Sequence, residues 1–208
     1  MATTRKPTQQ RSIATVEAIV EAGFMAVAEH GLAGTTTRHI ATLAGISVGS
    51  LYEYFANKEE VYEAMSRKLV EEVTQMIKPL VPQLTGMDIA PAIRTMLHAY
   101  GELLRRHNGR YLQCVRHGIQ SHIKTDLNPI NRVLQGLMMQ YVMQHPKYMR
   151  LNNLPAMGYI FINGGMFTMI HYLSDPNPPI TFDALVDGLA TMVAHHADGE
   201  LRRLEAQA

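Results

Sequence analysis

The stretch TTRHIATLAGISVGSLYEYFANK, residues 36–58, decides the fold of this chain. Thr36 is a preferred N-cap residue, and the apolar residues after it are spaced as on one side of a short helix. Gly45 favours the end of that helix, because glycine adopts a left-handed backbone conformation without steric cost. Ser47 is a second cap and predicts another short helix over residues 48–55. Two short helices joined by a tight turn with glycine indicate a helix-turn-helix.

A long helix is expected directly after this motif. Asn57 and Glu60 form a capping-box pattern at its start. Apolar residues then recur at helical spacing as far as Ile77, and Pro79 follows. A helix of about twenty residues spans about 30 Å, so this helix is long enough to leave a small N-terminal bundle and enter a second core.

The exposed side of the second short helix is suited to a DNA groove. It carries small residues, hydroxyls and phenols, and Glu53 is its one acid. A face of this kind can enter a major groove without steric clash and can donate hydrogen bonds to phosphates. The formal net charge of the chain is only +1, so the placement of these side chains, rather than the total charge, indicates DNA as a partner.

A family resemblance lies in residues 37–59, which read T-x-x-I-A-x-x-A-G-I-S-x-G-S-L-Y-x-Y-F-x-N-K-E. This pattern resembles the DNA-binding signature of the TetR family of transcriptional regulators. Residues 19–31 are similar to the first helix of that signature, at the right offset. The resemblance covers roughly the first quarter to third of the chain. It implies a regulator, most often a repressor, that binds a palindromic site on double-stranded DNA as a homodimer and is released by a small-molecule effector.

The resemblance also implies which residues contact DNA. Arg38 matches a position that contacts a base or a phosphate, and its alternative role is a solvated surface arginine. Val48 and Gly49 match positions that approach bases. The positions that match phosphate contacts are Thr36, Thr37, Ser47, Ser50, Tyr52, Tyr54 and Lys58. For Thr36 and Ser47, capping alone is a sufficient structural reason.

The rest of the chain predicts an all-α fold with about nine helices. We expect an N-terminal three-helix DNA-binding bundle with the helix-turn-helix over residues 1–57, and a larger C-terminal domain for effector binding and dimerisation over residues 58–208. The last two long helices carry more apolar surface than one chain is expected to cover. They are therefore predicted to pair with their copies in a twofold homodimer, although both helices could simply belong to the core.

Methionine is frequent in the C-terminal part, and the whole chain has 14. Methionine side chains line adaptable apolar surfaces well, which suggests an effector pocket. The candidate lining residues are Met96, Tyr100, Cys114, His117, Met138, Tyr141, Phe161 and Met166. Each of these is individually explained as ordinary core, but as a set they indicate a mainly apolar effector with one or two polar groups.

Composition and motifs argue against several other functions. Apolar residues make up 47% of the chain, which is typical of a folded protein, and Cys114 is the only cysteine, so no intramolecular disulfide is possible. Cys114 and His117 can share one helix face, but His122 falls off it, so no zinc site is predicted. No metalloprotease, nucleophile-elbow, P-loop or Rossmann pattern is present. We therefore expect no cofactor and no enzymatic activity. The alternative is a helical small-molecule-binding protein or enzyme in which the helix-turn-helix is only structural.

The N-terminus, MATTRKPTQQR, lacks the apolar core of a signal peptide, which predicts a cytoplasmic protein. Its basic residues, Arg5, Lys6 and Arg11, either contact phosphates or belong to a solvated terminus. Residues 151–174 contain no Lys, Arg, Asp or Glu, as a membrane span would. Their asparagines, proline, histidine and three glycines favour a helix buried in protein instead, so no membrane partner is expected.

Overall fold

The computed structural model describes residues 10–120 and 128–207. Within these residues every regular element is helical, so the predicted all-α class is confirmed. The helices are α1 (Gln10–Gly34), α2 (Thr37–Leu43), α3 (Val48–Tyr52), α4 (Lys58–Ile77), α5 (Val81–Thr85), α6 (Ile89–Gln120), α7 (Asn128–Gln144), α8 (Leu154–Ser174) and α9 (Phe182–Ala206). Short 3-10 helices occupy Lys78–Leu80 and Pro146–Arg150. The proposed phosphate contacts of Arg5 and Lys6 lie outside the described residues.

Two of the long helices are interrupted at positions that the sequence marks. In α1 the backbone leaves the helical region at Gly31, with φ 67°, a conformation that glycine adopts readily. In α6 the backbone leaves the helical region from Arg106 to Gly109, a segment in which Asn108 and Gly109 favour a break. Three consecutive residues there have positive φ: His107 at 52°, Asn108 at 59° and Gly109 at 73°. Each of these two helices therefore consists of two helical parts.

Short elements connect some of the longer helices. The segment around Pro79 and Pro82 forms a 3-10 turn followed by α5. Proline is compatible with the first turn of a helix, because the N–H that it lacks has no partner there. The second 3-10 helix lies between α7 and α8. The second helix of the motif also ends earlier than predicted, at Tyr52, and a turn in which the Phe55 N–H donates to the Leu51 carbonyl continues the chain.

The described residues form two compact units. One unit contains residues 10–71 and 104–120, and the other contains residues 72–103 and 128–207. This division differs from the expected boundary between residues 57 and 58, because most of α4 and the second part of α6 pack with α1, α2 and α3. The functional assignment of the two domains stays a prediction.

The first unit has a core built across α1, α4 and the second part of α6. Phe24 and Tyr111 meet edge to face, with ring centroids 5.0 Å apart. The buried Tyr62 hydroxyl donates a hydrogen bond of 2.9 Å to the Leu32 carbonyl and ties α4 to the end of α1. The apolar residues buried in this unit include Ile19, Val20, Val27, Ile40, Leu51, Phe55, Val61, Met65, Leu69 and Val115. This core holds the helix-turn-helix in place.

The second unit contains the first part of α6 together with α5, α7, α8 and α9. Helices α6 and α9 approach closely at Gly101, where an added Cβ would lie 2.5 Å from the Phe182 ring of α9. Arg94 and Asp187 form an ion pair between the same two helices. A cluster of buried residues joins α7, α9 and the second 3-10 helix: Val142, Tyr148, Leu151, Ala197 and Leu201. Among the described helices, none is long and apolar enough to cross a membrane.

Candidate functional site

The helix-turn-helix is built by the caps that the sequence indicates. The Thr36 hydroxyl accepts a hydrogen bond of 3.2 Å from the His39 N–H at the start of α2. The Ser47 hydroxyl accepts one of 2.9 Å from the Ser50 N–H at the start of α3. Gly45 lies in the turn with φ 68°, in the left-handed region that glycine adopts most readily. These local interactions fix the directions of both short helices.

The start of α4 is fixed in a similar way. The Asn57 side chain accepts a hydrogen bond of 2.9 Å from the Glu60 N–H. The Glu60 carboxylate in turn accepts one of 2.8 Å from the Ala56 N–H. This reciprocal pair is a capping box displaced by one residue from the predicted one, in which the N–H of Asn57 itself was the expected donor.

A hydroxyl pair links the two helices of the motif. The Thr37 Oγ1 and Tyr52 Oη atoms lie 3.3 Å apart, which joins the first turn of α2 to the last residue of α3. Both residues match phosphate-contacting positions of the family signature. The Lys58 ammonium donates a hydrogen bond of 3.2 Å to the Thr35 carbonyl, which holds the start of α4 beside the start of α2.

All ten predicted DNA-contacting residues lie on α2 and α3, on their N-caps, in the turn after α3 or at the start of α4. Those that are exposed are Thr36, Arg38, Ser47, Gly49 and Tyr52. Those that are half-buried are Thr37, Val48, Ser50, Tyr54 and Lys58. Behind them, Ile40 and Leu51 are fully buried and Phe55 is almost so. The motif therefore has one apolar face in the core and one polar face at the surface.

Thr35 supports this surface and was missed in the sequence. It is fully buried, and its hydroxyl donates a hydrogen bond of 2.7 Å to the Gly31 carbonyl. Its own carbonyl is the acceptor for Lys58. Residues 35–37 are three consecutive threonines, and residue type alone does not distinguish a buried threonine from a helix cap. The sequence therefore could not show which of the three is buried.

The second unit encloses an apolar cavity of about 240 Å³ between α6, α7, α8 and α9. Of the residues predicted for an effector pocket, those that line it are Met96, Tyr100, Met138, Tyr141, Phe161 and Met166. Additional lining residues that the sequence did not single out include Leu134, Leu137, Tyr148, Leu154, Met157 and Ile162. Their apolar helical spacing was visible, but it does not indicate which core positions surround empty space.

Cys114 and His117 do not line this cavity, which corrects their predicted place in the pocket. Both lie on the second part of α6, beyond the interruption, and belong to the first unit. His117 packs against Gly31, where an added Cβ would lie 3.4 Å from the imidazole Cε1 atom. Burial, followed by the nearby Arg116 guanidinium, lowers the pKa of His117. Burial raises the pKa of Cys114 to about 12, so its thiol stays protonated and unreactive at neutral pH.

The described residues contain no group of three or more His, Cys, Asp or Glu side chains arranged to hold a metal ion. His122, which was weighed as a partner for Cys114 and His117, lies outside the described residues.

Two capped short helices, a buried inner face and an exposed outer face of hydroxyls, phenols and an arginine define a DNA-binding helix-turn-helix protein. Comparison with known proteins supports the same class of protein. The family model described as "Bacterial regulatory proteins, tetR family" matches residues 19–65. This N-terminal region therefore matches the TetR family of bacterial transcriptional regulators, and the resemblance found in the sequence is confirmed.

Individual relatives show how far the similarity extends. The chain is 41% identical over 63 residues to the HTH-type transcriptional regulator PksA of Bacillus subtilis, covering 30% of each chain. It is 28% identical over 115 residues to the HTH-type transcriptional repressor KstR2 of Rhodococcus jostii, covering 54% of this chain and 55% of that protein. The matched part thus spans about half or less of the length of these relatives.

The fold similarity extends further than the sequence similarity. The solved structure of the fatty acid degradation regulator FadR from Bacillus halodurans superimposes with a TM-score of 0.69 at 16% identity. The superposition covers 91% of this chain and 97% of that one. The C-terminal unit therefore has the helical architecture of this regulator, although its sequence is not recognisably similar.

Proposed function

We propose that this protein is a ligand-responsive transcriptional repressor that binds a palindromic operator as a homodimer and is released by a mainly apolar small molecule. The observation that carries the proposal is the exposed face of α2 and α3, whose Thr37 and Tyr52 hydroxyls are paired at 3.3 Å. Side chains held in this way can meet phosphates with little further ordering. The Arg38 guanidinium, which is exposed on the same motif, would read a base or a neighbouring phosphate.

A homodimer through α8 and α9 is supported by the outward faces of both helices. On α8, Ile160 is 62% exposed and Phe167 is 48% exposed, and Gly164 between them has open space at its Cβ position. On α9, Met192 is 51% exposed, and Gly188 one turn earlier is open in the same way. Apolar side chains alternating with glycine along one side of a helix allow close helix packing across a twofold axis.

The effector would occupy the cavity of the second unit. Its walls are apolar and include six residues of the predicted pocket, and cavities of this kind are the usual sites of small ligands. The similar fold of a regulator named for fatty acid degradation also supports an apolar effector. The helices α4 and α6 each contribute residues to both compact units, so a ligand that favours one arrangement of them would change DNA affinity.

The first test is binding of the full-length protein to the DNA upstream of its own gene across a salt series, together with selection from a random DNA library. Specific binding that weakens steeply with salt would support the proposal. Arg38→Ala should cost about 1–3 kcal/mol of discrimination at one position of the selected site. Arg67→Ala is the matched control, because Arg67 is exposed on α4 of the same unit and pairs with Glu63.

The dimer is tested separately by sedimentation. Ile160→Glu should shift the wild-type dimer to monomer, since it places a charge in the predicted interface. Met143→Glu, at a residue that is 66% exposed on α7, should leave the dimer intact. If Ile160→Glu and Met143→Glu had the same oligomeric state in sedimentation, the dimer interface would lie elsewhere.

A small-molecule-binding protein or enzyme with a purely structural helix-turn-helix is the rival function. It predicts no sequence-specific binding to any DNA in the library selection, and that result would overturn the proposed repressor.

A further inference from the structure

Among the described residues, none that lines the cavity of the second unit is charged. The described residues that line it are aliphatic, thioether-containing or aromatic, and they include no Asp, Glu, Lys, Arg, His, Asn, Gln, Ser or Thr. Among these described residues, the side-chain hydrogen-bonding groups are the hydroxyls of Tyr100, Tyr141 and Tyr148. A polar group of a ligand bound against them can pair with one of these phenols, and without such a pair it loses its hydration without replacement.

Two of the three tyrosines already interact with neighbouring groups. The Tyr141 hydroxyl donates a hydrogen bond of 3.1 Å to the Met87 carbonyl, and its ring stacks on His145 with centroids 4.3 Å apart. The Lys147 ammonium lies 4.8 Å from the centroid of the Tyr148 ring. A hydrogen bond with Tyr148 raises the pKa of Lys147.

Tyr100 differs from both. It is only 9% exposed and lines the cavity, yet among residues 10–117 and 128–207 its hydroxyl has no hydrogen-bond partner. Burial raises the pKa of Tyr100, so the phenol stays protonated and keeps a proton to donate. Buried hydroxyls in proteins are usually paired, so a free one on a cavity wall is suited to an acceptor atom on a ligand.

The charges near the Tyr141 end of the cavity do not favour an anion. After burial and the neighbouring Tyr148, the carboxylates of Asp88 and Asp198 raise the pKa of Tyr141 further. Lys147 also interacts electrostatically with both carboxylates and with Tyr148. Because no described residue that lines the cavity is a cation, a ligand carboxylate bound against these residues would lose hydration without gaining a charge partner.

Building on the proposed function, in which this cavity holds the effector, we propose that the effector is an uncharged, mainly hydrocarbon molecule with one oxygen acceptor, which the Tyr100 hydroxyl binds. A ketone or an alcohol meets this description, and a free carboxylate does not. The cavity volume of about 240 Å³ exceeds the roughly 150 Å³ of an engineered apolar cavity that holds benzene. The ligand is therefore larger than a single ring.

The test compares three probes of equal carbon number: n-butylbenzene, butyrophenone and 4-phenylbutyrate. Binding to the protein without DNA is measured by calorimetry and thermal shift at neutral pH. Butyrophenone should bind roughly fivefold more tightly than butylbenzene, because it adds one hydrogen bond, and phenylbutyrate should bind most weakly. Phenylbutyrate binding as tightly as butyrophenone would overturn the proposal without any variant.

Tyr100→Phe should abolish the advantage of the ketone over the hydrocarbon. It should leave the melting temperature of the unliganded protein unchanged, because no hydrogen bond of the structure is lost. Tyr172→Phe is the matched control: it removes a phenol hydroxyl that donates a hydrogen bond of 3.0 Å to the Ile180 carbonyl, away from the residues that line the cavity, and it should keep the advantage of the ketone. Persistence of that advantage in Tyr100→Phe would overturn the role of Tyr100.

These results are separable from the DNA-binding test. Specific DNA binding with no binding of any probe would overturn the ligand class and leave the regulator function intact. Ketone binding through Tyr100 without specific DNA binding would support the ligand chemistry and overturn the repressor function.

Discussion

The hydroxyls of Thr37 and Tyr52 lie 3.3 Å apart and connect the first turn of α2 to the end of α3. Tyr52 is 49% exposed, so this pair holds a surface phenol in one orientation. Holding a flexible side chain before a partner arrives reduces the entropy that binding would otherwise cost. The pair thus adds a structural role to the phosphate role that the family signature implies for both residues.

Tyr52→Phe should weaken operator binding roughly fivefold, because one hydrogen bond is worth about 1 kcal/mol. The measurement is fluorescence anisotropy with labelled operator at fixed salt. Thr37→Ser keeps a hydroxyl at the same position and should bind nearly as well as wild type. Unchanged affinity of Tyr52→Phe would show that the phenol hydroxyl does not contact phosphate.

Ser47 allows capping and DNA contact to be separated. Its hydroxyl accepts the Ser50 N–H at 2.9 Å, and aspartate caps helices as well as serine does. Ser47→Asp should therefore keep the melting temperature while it weakens operator binding at least roughly tenfold, because its charge repels phosphates. Ser47→Ala should instead lower the free energy of unfolding by about 1 kcal/mol.

Both Ser47 variants are measured by urea unfolding and by operator binding. Wild-type affinity in Ser47→Asp would mean that Ser47 has no role beyond its cap.

Gly101 is expected to tolerate no side chain. An added Cβ would lie 2.5 Å from Phe182 Cζ and 3.4 Å from Met169 Cε, so Gly101→Ala must displace a packed ring. We expect a loss of about 1–3 kcal/mol in the free energy of unfolding, as for other overpacked cores. Gly136→Ala in α7 is the control: nothing lies within 4 Å of its Cβ position, and alanine should stabilise the helix by about 0.5–1 kcal/mol. Destabilisation by both substitutions would exclude close α6–α9 packing as the cause.

Tyr62 makes stability depend on pH in the alkaline range. Burial, the main cause, raises its pKa from 10.0 to about 12, and its hydroxyl donates to the Leu32 carbonyl. Because the folded-state pKa lies above the unfolded one, the stabilisation is complete below pH 10 and is lost as the pH rises to about 12. A shift of this size corresponds to about 2–3 kcal/mol.

Urea unfolding below pH 10 and near pH 12 measures this loss. Tyr62→Phe should be less stable than wild type at the lower pH and should lose less stability across this range. An equal loss in both proteins would assign the alkaline transition to other groups.

Much of the N-terminal unit was predictable because its signals are local. A cap, a glycine with positive φ and an apolar residue one turn away act within a few residues, so Thr36, Gly45 and Ser47 could be placed from the sequence. The break at Asn108 and Gly109 was predictable for the same reason. The all-α class followed from the absence of any strand pattern.

The cavity and the packing of α6 were less predictable because they depend on contacts between distant segments. Helical spacing shows which side of a helix is apolar but not which neighbour covers it. Cys114 and His117 were therefore placed on the pocket, although they lie in the unit that holds the helix-turn-helix. Tyr148 was not predicted as a cavity residue because it lies on a 3-10 helix, which has no apolar periodicity in the sequence that would indicate it.

The interruption in α6 has a consequence for limited proteolysis. Arg105, Arg106, His107 and Asn108 are exposed, and exposed backbone that has left the helix is where proteases cut most readily. A trypsin cut after Arg106 would leave two fragments, and each compact unit contains residues from both of them. Cleavage at this point should therefore yield a nicked protein whose pieces co-elute on a sizing column and separate only in denaturant.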